Sequence, residues 1–516
     1  MHVYPHYFPV RDAADNLDVV PLLQSGFAAH AERAQKTLIE FNGVPTSYGE
    51  MAQRVARMRT WLAHQGIGHG DRVALMLENG LEHMALIYAL MLSGAVWVPV
   101  NTRLKAPGID YLLDHCKPDL FITQPSFAQA LAGLEQEPKK LVWLNELELP
   151  AAEALPPIPI ASDDTLCLIY TSGTTGAPKG VVFTHRMMRI ASEGTVLVSG
   201  VKPGDRMFVW EPLCHIGGAQ LLLVPFLADV SLQVVERFSA SRFWQQVEQA
   251  RSTHLHYLGG ILDIVCQLPP ESQPAQHTLQ VAWGAGVSTK SWDSIVQRLG
   301  IALRECYGMT EVSSFTTVNY SGKPGSIGRA LPWLRVELLD ENDQPVPTGE
   351  LGQIVVSTDV EGCFLPTYLD NPKATSEARR HGKLYTGDMA RSDDEGDLFF
   401  VGRKTDSMRV RGENVSAWEI ERIFVMHPAI AAVAAIGVAS DVGEQEIMLF
   451  VQFKEGMRLP FDELAAWASS RLASYQLPRY YQQTQGFETT LSERIRKHLL
   501  SRDLSLAWDR ASSVLK

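Results

Sequence analysis

Residues 170–180 bring together groups that can bind a polyphosphate. The segment reads YTSGTTGAPKG and holds three glycines, four aliphatic hydroxyls and one lysine. The hydrophobic run at 166–170 leads into it and predicts a buried strand. Such a loop at a strand end offers N–H groups, hydroxyls and an ammonium to phosphate oxygens. It is not a Walker loop, because its lysine stands between proline and glycine. The candidate ligands are Thr171, Ser172, Gly173, Thr174, Thr175, Gly176 and Lys179.

Two later segments offer further nucleotide ligands. Residues 307–311, YGMTE, follow a predicted strand at 302–306. In this pentad the ring of Tyr307 can stack on a purine beside Gly308, Thr310 can bond a phosphate, and Glu311 can hold Mg²⁺. Asp388 ends the segment YTGD, where its carboxylate could take both ribose hydroxyls; a turn aspartate is the alternative.

Composition narrows the class of protein. The chain has 516 residues, enough for two or three domains, and its net charge is −12. An acidic balance disfavours nucleic acid or an anionic membrane as partner. Six scattered cysteines without a CxxC pair favour a reducing compartment, and neither a signal peptide nor a membrane-spanning segment is expected. The sequence therefore predicts a soluble, cytoplasmic protein.

Strand and helix patterns alternate through most of the chain. A capping box at 47–50 opens a predicted helix to about residue 62, and strands are expected at 72–77 and 95–100 around a helix at 81–92. This order predicts an α/β fold with parallel sheets covered by helices. We place a large domain at 1–402, with a small β-rich subdomain at about 330–402. A small, mobile α+β domain follows at 403–516, with a hinge near 402–406.

The order of these segments resembles the adenylate-forming enzymes, which include acyl-CoA synthetases, nonribosomal peptide adenylation domains and luciferases. The resemblance covers roughly residues 20–500. It implies ATP, Mg²⁺ and CoA as cofactor and co-substrates, with Thr310 at the acyl phosphate, Glu311 on the metal and Tyr307 along the base. Asp388 and Arg403 would contact the ribose. The blocks at 411–421 and 238–244 are most similar to the carnitine/crotonobetaine-CoA ligase branch.

The same resemblance implies an acyl pocket and a tunnel for the CoA arm. Trp283 and Trp210 could offer a cation–π face to a quaternary ammonium group, although packing is the commoner role of a buried tryptophan. The implied acyl-pocket residues are His215, Gly217, Leu258, Trp283, Gly284, Ala285 and Gly286. The implied tunnel residues are Arg411, Gly412, Glu413 and Asn414.

The C-terminal end departs from the family pattern. The family carries a catalytic lysine in a Ser/Thr-Gly-Lys segment, and here Glu493 and Arg494 occupy the Gly-Lys positions. Lysine and arginine are not interchangeable as a point donor. Three outcomes stay open: Arg494 substitutes, Lys497 replaces it, or adenylation is slow or absent. The usual hinge residue is likewise replaced, by Thr405.

The leading hypothesis is an acid–thiol ligase that acts on a small carboxylic acid through an acyl-AMP intermediate. Lys179, Thr310 and the C-terminal basic residue, Arg494 or Lys497, would be catalytic. Transfer to a carrier protein instead of CoA is one alternative, and a nucleotide- or acyl-CoA-binding protein with impaired adenylation is another. The sequence leaves the acid open and is compatible with a homodimer.

Overall fold

The computed structural model describes residues 17–28, 31–171, 177–258, 260–287, 289–403, 407–440, 443–488, 495 and 497–513. The helices are α1 (Val19–Phe27), α2 (Ala31–Ala34), α3 (Tyr48–His64), α4 (Leu81–Ser93), α5 (Ala106–Cys116), α6 (Ala128–Leu131), α7 (His185–Ser199), α8 (Ile216–Ala219), α9 (Val224–Ala228), α10 (Phe243–Ala250), α11 (Ile261–Gln267), α12 (Thr289–Leu299), α13 (Pro372–Ala378), α14 (Ala417–Val425), α15 (Phe461–Ser469) and α16 (Arg510–Ser513). The strands up to the middle of the chain are β1 (Thr37–Phe41), β2 (Val44–Ser47), β3 (Arg72–Met76), β4 (Val96–Pro99), β5 (Leu120–Thr123), β6 (Leu141–Trp143), β7 (Thr165–Thr171), β8 (Lys179–Thr184), β9 (Arg206–Val209), β10 (Ser231–Val234), β11 (His254–Leu258), β12 (Val281–Ala285), β13 (Ala302–Met309), β14 (Ser314–Val318) and β15 (Arg329–Ala330). The remaining strands are β16 (Arg335–Leu339), β17 (Gly352–Ser357), β18 (Arg379–Arg380), β19 (Lys383–Ser392), β20 (Leu398–Arg403), β21 (Ser407–Val410), β22 (Glu413–Ser416), β23 (Ile430–Ala439), β24 (Gln445–Phe453), β25 (Tyr480–Gln483) and β26 (Trp508–Asp509).

Two large sheets form the core of the N-terminal part. One has the strand order β6-β5-β3-β4-β7-β8, and all its neighbours are parallel except the β7/β8 pair. The other has the order β15-β14-β13-β12-β11-β9-β10-β1-β2, with a parallel centre from β13 to β1. Parallel strands require crossovers that bury both sheet faces, so their apolar runs are nearly continuous. The predicted α/β fold with a large parallel-sheet domain is confirmed.

Local signals placed two of the helices. Ser47 Oγ accepts a hydrogen bond from Glu50 N, and the Glu50 carboxylate accepts one from Ser47 N, as the predicted capping box requires. Thr184 Oγ1 caps α7 by accepting from Met187 N at 3.1 Å. Helix α7 contacts strands of both large sheets and is buried along nearly its whole length. Its methionines, Met187 and Met188, therefore pack in the core.

A third sheet and a separate C-terminal core complete the chain. Strands β16, β17, β19, β18 and β20 form an antiparallel sheet. In the C-terminal part, β23-β24-β25-β26 form a sheet whose apolar core includes residues of α14 and α15. Residues 404–406 lie outside the described residues, so the hinge and the domain boundaries stay predictions. Nowhere in the described ranges is there a helix with both the length and the apolar character needed to cross a bilayer.

Candidate active site

The predicted phosphate loop joins β7 to β8, which lie side by side at one edge of the six-stranded sheet. Thr171 and Lys179 stand directly opposite each other in this ladder, so both ends of the loop are fixed. The central part of the loop lies outside the described residues. Its predicted ligands there are Ser172, Gly173, Thr174, Thr175 and Gly176.

Tyr368 links Lys179 to Glu311. The Tyr368 hydroxyl donates to Glu311 Oε1 at 2.8 Å, and Lys179 Nζ lies 4.5 Å from the centroid of the same ring. Thr171 Oγ1 also donates to Glu311 Oε1, at 3.4 Å. The structure thus brings together the predicted phosphate-binding lysine and the predicted metal ligand. Tyr368 was not among the residues predicted from the sequence, because a lone tyrosine before a turn has no spacing that indicates chemistry.

Backbone pairing explains where Tyr368 sits. Leu369 N donates to Gly180 O at 2.7 Å, and Val182 N donates to Thr367 O at 3.1 Å, so this segment runs along β8. Leu365 N donates to Glu311 O at 2.9 Å. Glu311 lies in a short helical turn directly after β13, together with the buried Thr310. The Glu311 carboxylate and the Thr171 hydroxyl meet beside the phosphate loop. Both are hard oxygen donors, which fit Mg²⁺.

Tyr307 and Asp388 form the second half of the predicted nucleotide site. The Tyr307 hydroxyl donates to Asp388 Oδ2 at 2.7 Å, and both residues are buried. The Phe400 ring stacks on Tyr307 with centroids 6.1 Å apart. The backbone of Arg403 lies directly opposite that of Asp388 in the β19/β20 ladder. The two residues predicted to contact the ribose are therefore neighbours on adjacent strands.

Gly308 is required by close packing of the backbone. A Cβ on this residue would lie 2.0 Å from Ser314 O, at the bulge where β13 pairs with β14. Any side chain here would push the two strands apart. Tyr307 precedes Gly308 and Thr310 lies two residues after it. The close approach of β13 to β14 at this glycine therefore helps to set the positions of both residues.

The predicted acyl-pocket residues converge on adjacent strands. Leu258 at the end of β11 pairs in register with Ala285 of β12, and Trp283 of β12 is fully buried. A Cβ on Gly284 would lie only 1.8 Å from Tyr257 O, so this position accepts only glycine. Gly217 lies in the short helix α8, which begins directly after His215.

Glu305 supports the loop that follows β12. Its carboxylate accepts from Gly286 N at 2.6 Å, from Val287 N at 3.3 Å and from the Tyr257 hydroxyl at 2.6 Å. Burial raises the pKa of Glu305 to about 7, although these three donors act in the opposite direction. Glu305 therefore fixes the backbone at Gly286, one of the predicted acyl-pocket residues. Glu305 was not among the residues predicted from the sequence, since it lies in the middle of a strand.

The C-terminal part meets the acyl-pocket region through Glu413. His215 Nε2 lies 3.0 Å from Glu413 Oε2, and Arg103 Nη1 lies 3.6 Å from Glu413 Oε1. Burial would raise the pKa of Glu413, but the charges of His215 and Arg103 outweigh it and lower that pKa to about 2. For His215, burial is outweighed by the Glu413 charge, which raises its pKa. The structure therefore joins a predicted pocket residue to a predicted tunnel residue.

A cavity of about 120 Å³ adjoins this contact. Six residues from both parts of the chain are among those that line it: Tyr111, Tyr170, His215, Glu413, Arg471 and Tyr475. Among the other tunnel candidates, Arg411 is exposed, and Gly412 N donates to Glu444 Oε2 at 3.0 Å. The side chain of Asn414 lies outside the described residues, as does that of Arg403.

Two residues are candidates for the C-terminal basic catalytic residue, and the structure describes only one of them. Arg494 lies outside the described residues. Lys497 Nζ pairs with Glu421 Oε1 at 2.7 Å, and the same oxygen accepts from Ala435 N. Lys497 is thus bound to α14 in this arrangement, and its catalytic role stays a prediction.

Two family models match the chain. The model of the AMP-binding enzymes matches residues 27–368, and that of the AMP-binding enzyme C-terminal domain matches residues 419–494. The chain therefore belongs to the AMP-binding enzymes, the adenylate-forming family predicted from its motifs. Within that family it is 30% identical over 482 residues to crotonobetaine/carnitine–CoA ligase of Escherichia coli O45:K1. The matched region covers 88% of this chain and 92% of that ligase.

Solved structures share the fold. The o-succinylbenzoate CoA synthetase of Bacillus subtilis, a double mutant bound with the product analogue OSB-NCoA, superposes with a TM-score of 0.84 at 23% identity, over 94% of this chain and 99% of that one. The same synthetase in complex with the acyl-adenylate OSB-AMP gives a TM-score of 0.69 at 22% identity, over 94% and 98% of the two chains.

Proposed function

We propose that this protein is an ATP-dependent acid–CoA ligase. The substrate carboxylate attacks the α-phosphate of ATP and pyrophosphate leaves, which gives an acyl-adenylate. The thiol of CoA then attacks the acyl carbonyl, a thioester forms, and AMP leaves. The observation that carries this proposal is the convergence of Thr171, Lys179 and Glu311 around Tyr368 at the ends of the phosphate loop.

Positioning and charge stabilisation supply most of the catalysis in this scheme. Lys179 and the loop hydroxyls bind the phosphates, and Thr310 contacts the phosphate that receives the acyl group. Glu311 with Thr171 would hold Mg²⁺, which supplies neutralisation of phosphate charge. Tyr307 lies along the base, while Asp388 and Arg403 bind the ribose.

The thiol arm enters between the two parts of the chain. Glu413 at His215 closes one side of the cavity, and Tyr475 and Tyr111 form other walls. This arrangement supports assigning the present conformation to the thioester-forming step. The TM-score is higher with the synthetase bound to the product analogue (0.84) than with the same synthetase bound to the acyl-adenylate (0.69), which agrees with that assignment. Rotation of the small domain about residues 402–406 would then bring Arg494 toward Lys179 for the first step.

The test measures the two steps separately. The protein is incubated with ATP, Mg²⁺ and a panel of carboxylic acids, and pyrophosphate release is followed. CoA is then added without any carrier protein, and acyl-CoA is identified by mass spectrometry. Thioester formation supports the proposal. Acyl-adenylate without thioester would favour a carrier-protein acceptor, and no acid-dependent release would favour a binding protein with impaired adenylation.

Arg494 provides the sharpest single change. Loss of a positioned donor to the transition state typically costs about 10²–10³ in rate, so Arg494→Ala should lower acid-dependent pyrophosphate exchange by that factor. Lys497→Ala is the matched control and should have a small effect, because the Lys497 ammonium already pairs with Glu421. Unchanged exchange in Arg494→Ala would exclude Arg494 as the donor. A sharp rise in Arg494→Lys would indicate that the native residue limits adenylation.

A further inference from the structure

Helix α5 contacts both ends of the phosphate loop through two side chains. At the far end of the loop, the Tyr111 hydroxyl donates to Pro178 O at 2.9 Å. At the near end, His115 Nδ1 and the Tyr170 hydroxyl are hydrogen-bonded to each other at 2.7 Å. In the reaction scheme above, neither of these α5 residues has a role at the phosphate loop.

The two residues held by α5 directly precede groups that would bind ATP and its metal. Thr171 follows Tyr170, and Lys179 follows Pro178. Thr171 and Lys179 also lie opposite each other in the β7/β8 ladder. Consecutive Cα atoms are only about 3.8 Å apart, so a shift of a held residue moves its neighbour as well. The two contacts therefore help to set where the hydroxyl and the ammonium lie.

Helix α5 is suited to act as one support for both contacts. Tyr111 and His115 are four residues apart, so their side chains lie on the same face of the helix. Their rings stack with centroids 5.9 Å apart and an angle of 12° between the ring planes. The buried residues of α5 belong to the same apolar cluster as Leu168 of β7. Arg72 Nη1 donates to Cys116 O at 2.7 Å, which fixes the C-terminal end of the helix.

Gly180 leaves room for the ring of Tyr170. The two residues are partners in the β7/β8 ladder, and a Cβ on Gly180 would lie 3.3 Å from Tyr170 Cζ. The His115 ring meets the Tyr170 ring edge-on, with centroids 5.6 Å apart. Burial raises the pKa of the Tyr170 hydroxyl, which therefore keeps its proton at neutral pH. The contact with His115 is thus available throughout the neutral range.

The cavity between the two parts of the chain suggests a rival role for Tyr111. Tyr111, Tyr170 and Pro178 are among its lining residues, and Arg471 and Leu472 line it from the C-terminal part. Tyr111 could therefore serve the thiol arm of CoA instead of the loop. The two roles differ in the step that they affect. Support of the loop matters while the triphosphate is bound, whereas a contact with CoA matters only during thioester formation.

We propose that Tyr111 and His115 are positioning residues for adenylation: they hold the two ends of the phosphate loop so that its hydroxyl and ammonium ligands meet the triphosphate of ATP in a fixed arrangement. The proposal rests on the ligase function proposed above and adds two residues to the same site. Because pyrophosphate leaves at the end of the first step, their support acts on adenylation and not on thioester formation.

The first test removes the Tyr111 hydroxyl alone. We expect Tyr111→Phe to raise KM for ATP in acid-dependent pyrophosphate exchange by roughly 3- to 10-fold, the effect of one neutral hydrogen bond. Thioester formation from preformed acyl-adenylate and its KM for CoA should stay unchanged. Tyr48→Phe is the matched control, because the Tyr48 hydroxyl also donates to a proline carbonyl, that of Pro225, at 2.9 Å. This control should keep the wild-type KM for ATP.

A double-mutant cycle tests the second contact. His115→Leu and Tyr170→Phe should each raise KM for ATP, and the double variant should show about the same rise as either single variant, since both changes remove one bond. His115→Asn keeps a polar atom near the position of Nδ1 and should restore part of the loss. Additive effects of the two single changes would contradict a direct contact.

The outcomes separate this proposal from the ligase function. A raised KM for CoA with an unchanged KM for ATP in Tyr111→Phe would overturn the proposal and assign the residue to the cavity. Equal losses in both half-reactions would indicate a structural role and would also overturn it. Absence of acid-dependent exchange in the wild type would instead refute the ligase function. In that case the Kd for ATP with Mg²⁺, measured by titration calorimetry on wild type and variants, still decides the proposal.

Discussion

At the scale of single residues, Tyr368 is the side chain that organises the proposed ATP site. Its hydroxyl meets the carboxylate of Glu311, and its ring meets the ammonium of Lys179. These are two independent interactions from one residue, and they can be removed separately. The segment around Tyr368 is pinned to β8 by backbone hydrogen bonds, so a change of side chain should leave the backbone in place.

Tyr368→Phe removes only the hydroxyl. A hydrogen bond to a charged group contributes about 1.5–3 kcal/mol, so we expect acid-dependent pyrophosphate exchange to fall by roughly 10- to 100-fold with a raised requirement for Mg²⁺. Tyr368→Leu also removes the ring and should raise KM for ATP in addition, because Lys179 loses its cation–π partner. Exchange rates measured across Mg²⁺ and ATP concentrations check both effects.

Tyr320→Phe is the matched control for this pair of variants. Tyr320 donates its hydroxyl to Leu197 O at 2.7 Å and lies under Arg304 at 5.1 Å, so it combines the same two kinds of interaction outside the proposed ATP site. Its exchange rate should equal that of the wild type. An unchanged Mg²⁺ requirement in Tyr368→Phe would contradict the positioning role of the hydroxyl.

At the scale of secondary-structure elements, Glu305 couples β13 to the neighbouring strands. Its carboxylate accepts hydrogen bonds from the Tyr257 hydroxyl on β11 and from Gly286 N in the loop after β12. Because burial raises the pKa of Glu305 from 4.5 to about 7, the folded state keeps a proton that the unfolded chain releases. The associated stability is fully present below pH 4.5 and declines as the pH rises toward 7.

Glu305→Gln should remove this part of the pH dependence. A shift from 4.5 to about 7 corresponds to roughly 3 kcal/mol across that range. We therefore expect the wild-type Tm to fall between pH 4.5 and pH 7 relative to that of the variant, which cannot ionise at this position. Thermal unfolding at a series of pH values measures the difference. Parallel Tm profiles for the two proteins would contradict the prediction.

At the scale of the whole molecule, one charge cluster lies at the contact between the two parts of the chain. Glu413 faces His215 and Arg103, and the nearby Arg409 charge also lowers the pKa values of both Glu413 and His215. The lowered pKa of Glu413 means that its contribution is present above pH 4.5 and is lost as the pH falls toward 2. The raised pKa of His215 means that its contribution is present below pH 6.5 and is lost on further rise. The contact is therefore strongest between these limits.

Glu413→Gln should act on the second half-reaction. Removing one partner of a buried charge pair costs several kcal/mol, so we expect thioester formation from preformed acyl-adenylate to slow by at least about 10-fold below pH 6.5. Pyrophosphate exchange should change little. The wild-type-to-variant rate ratio should shrink as the pH rises, since His215 loses its charge in the wild type. Single-turnover assays at several pH values test this, and equal slowing of both half-reactions would count against it.

Local sequence signals predicted a large part of this architecture. The capping residue Ser47, the strand before the phosphate loop, and the segments with Thr310 and Asp388 were each predicted from neighbouring residues in the sequence. Their order along the chain also indicated the family, which the family models confirm. No local sequence signal marked Tyr368 or Glu305, because each acquires its role only from partners far away in the sequence.

The sequence by itself determined the class of chemistry, since glycine-rich turns, hydroxyls and carboxylates in a fixed order are local properties of the chain. Tertiary structure decided which of these groups meet. Strand pairing brings Tyr368 to Lys179 and Glu311, and parallel register sets His256 beside Trp283. The packing of the C-terminal part sets Glu413 against His215. These contacts depend on sheet register and burial, which are settled only when the whole chain packs.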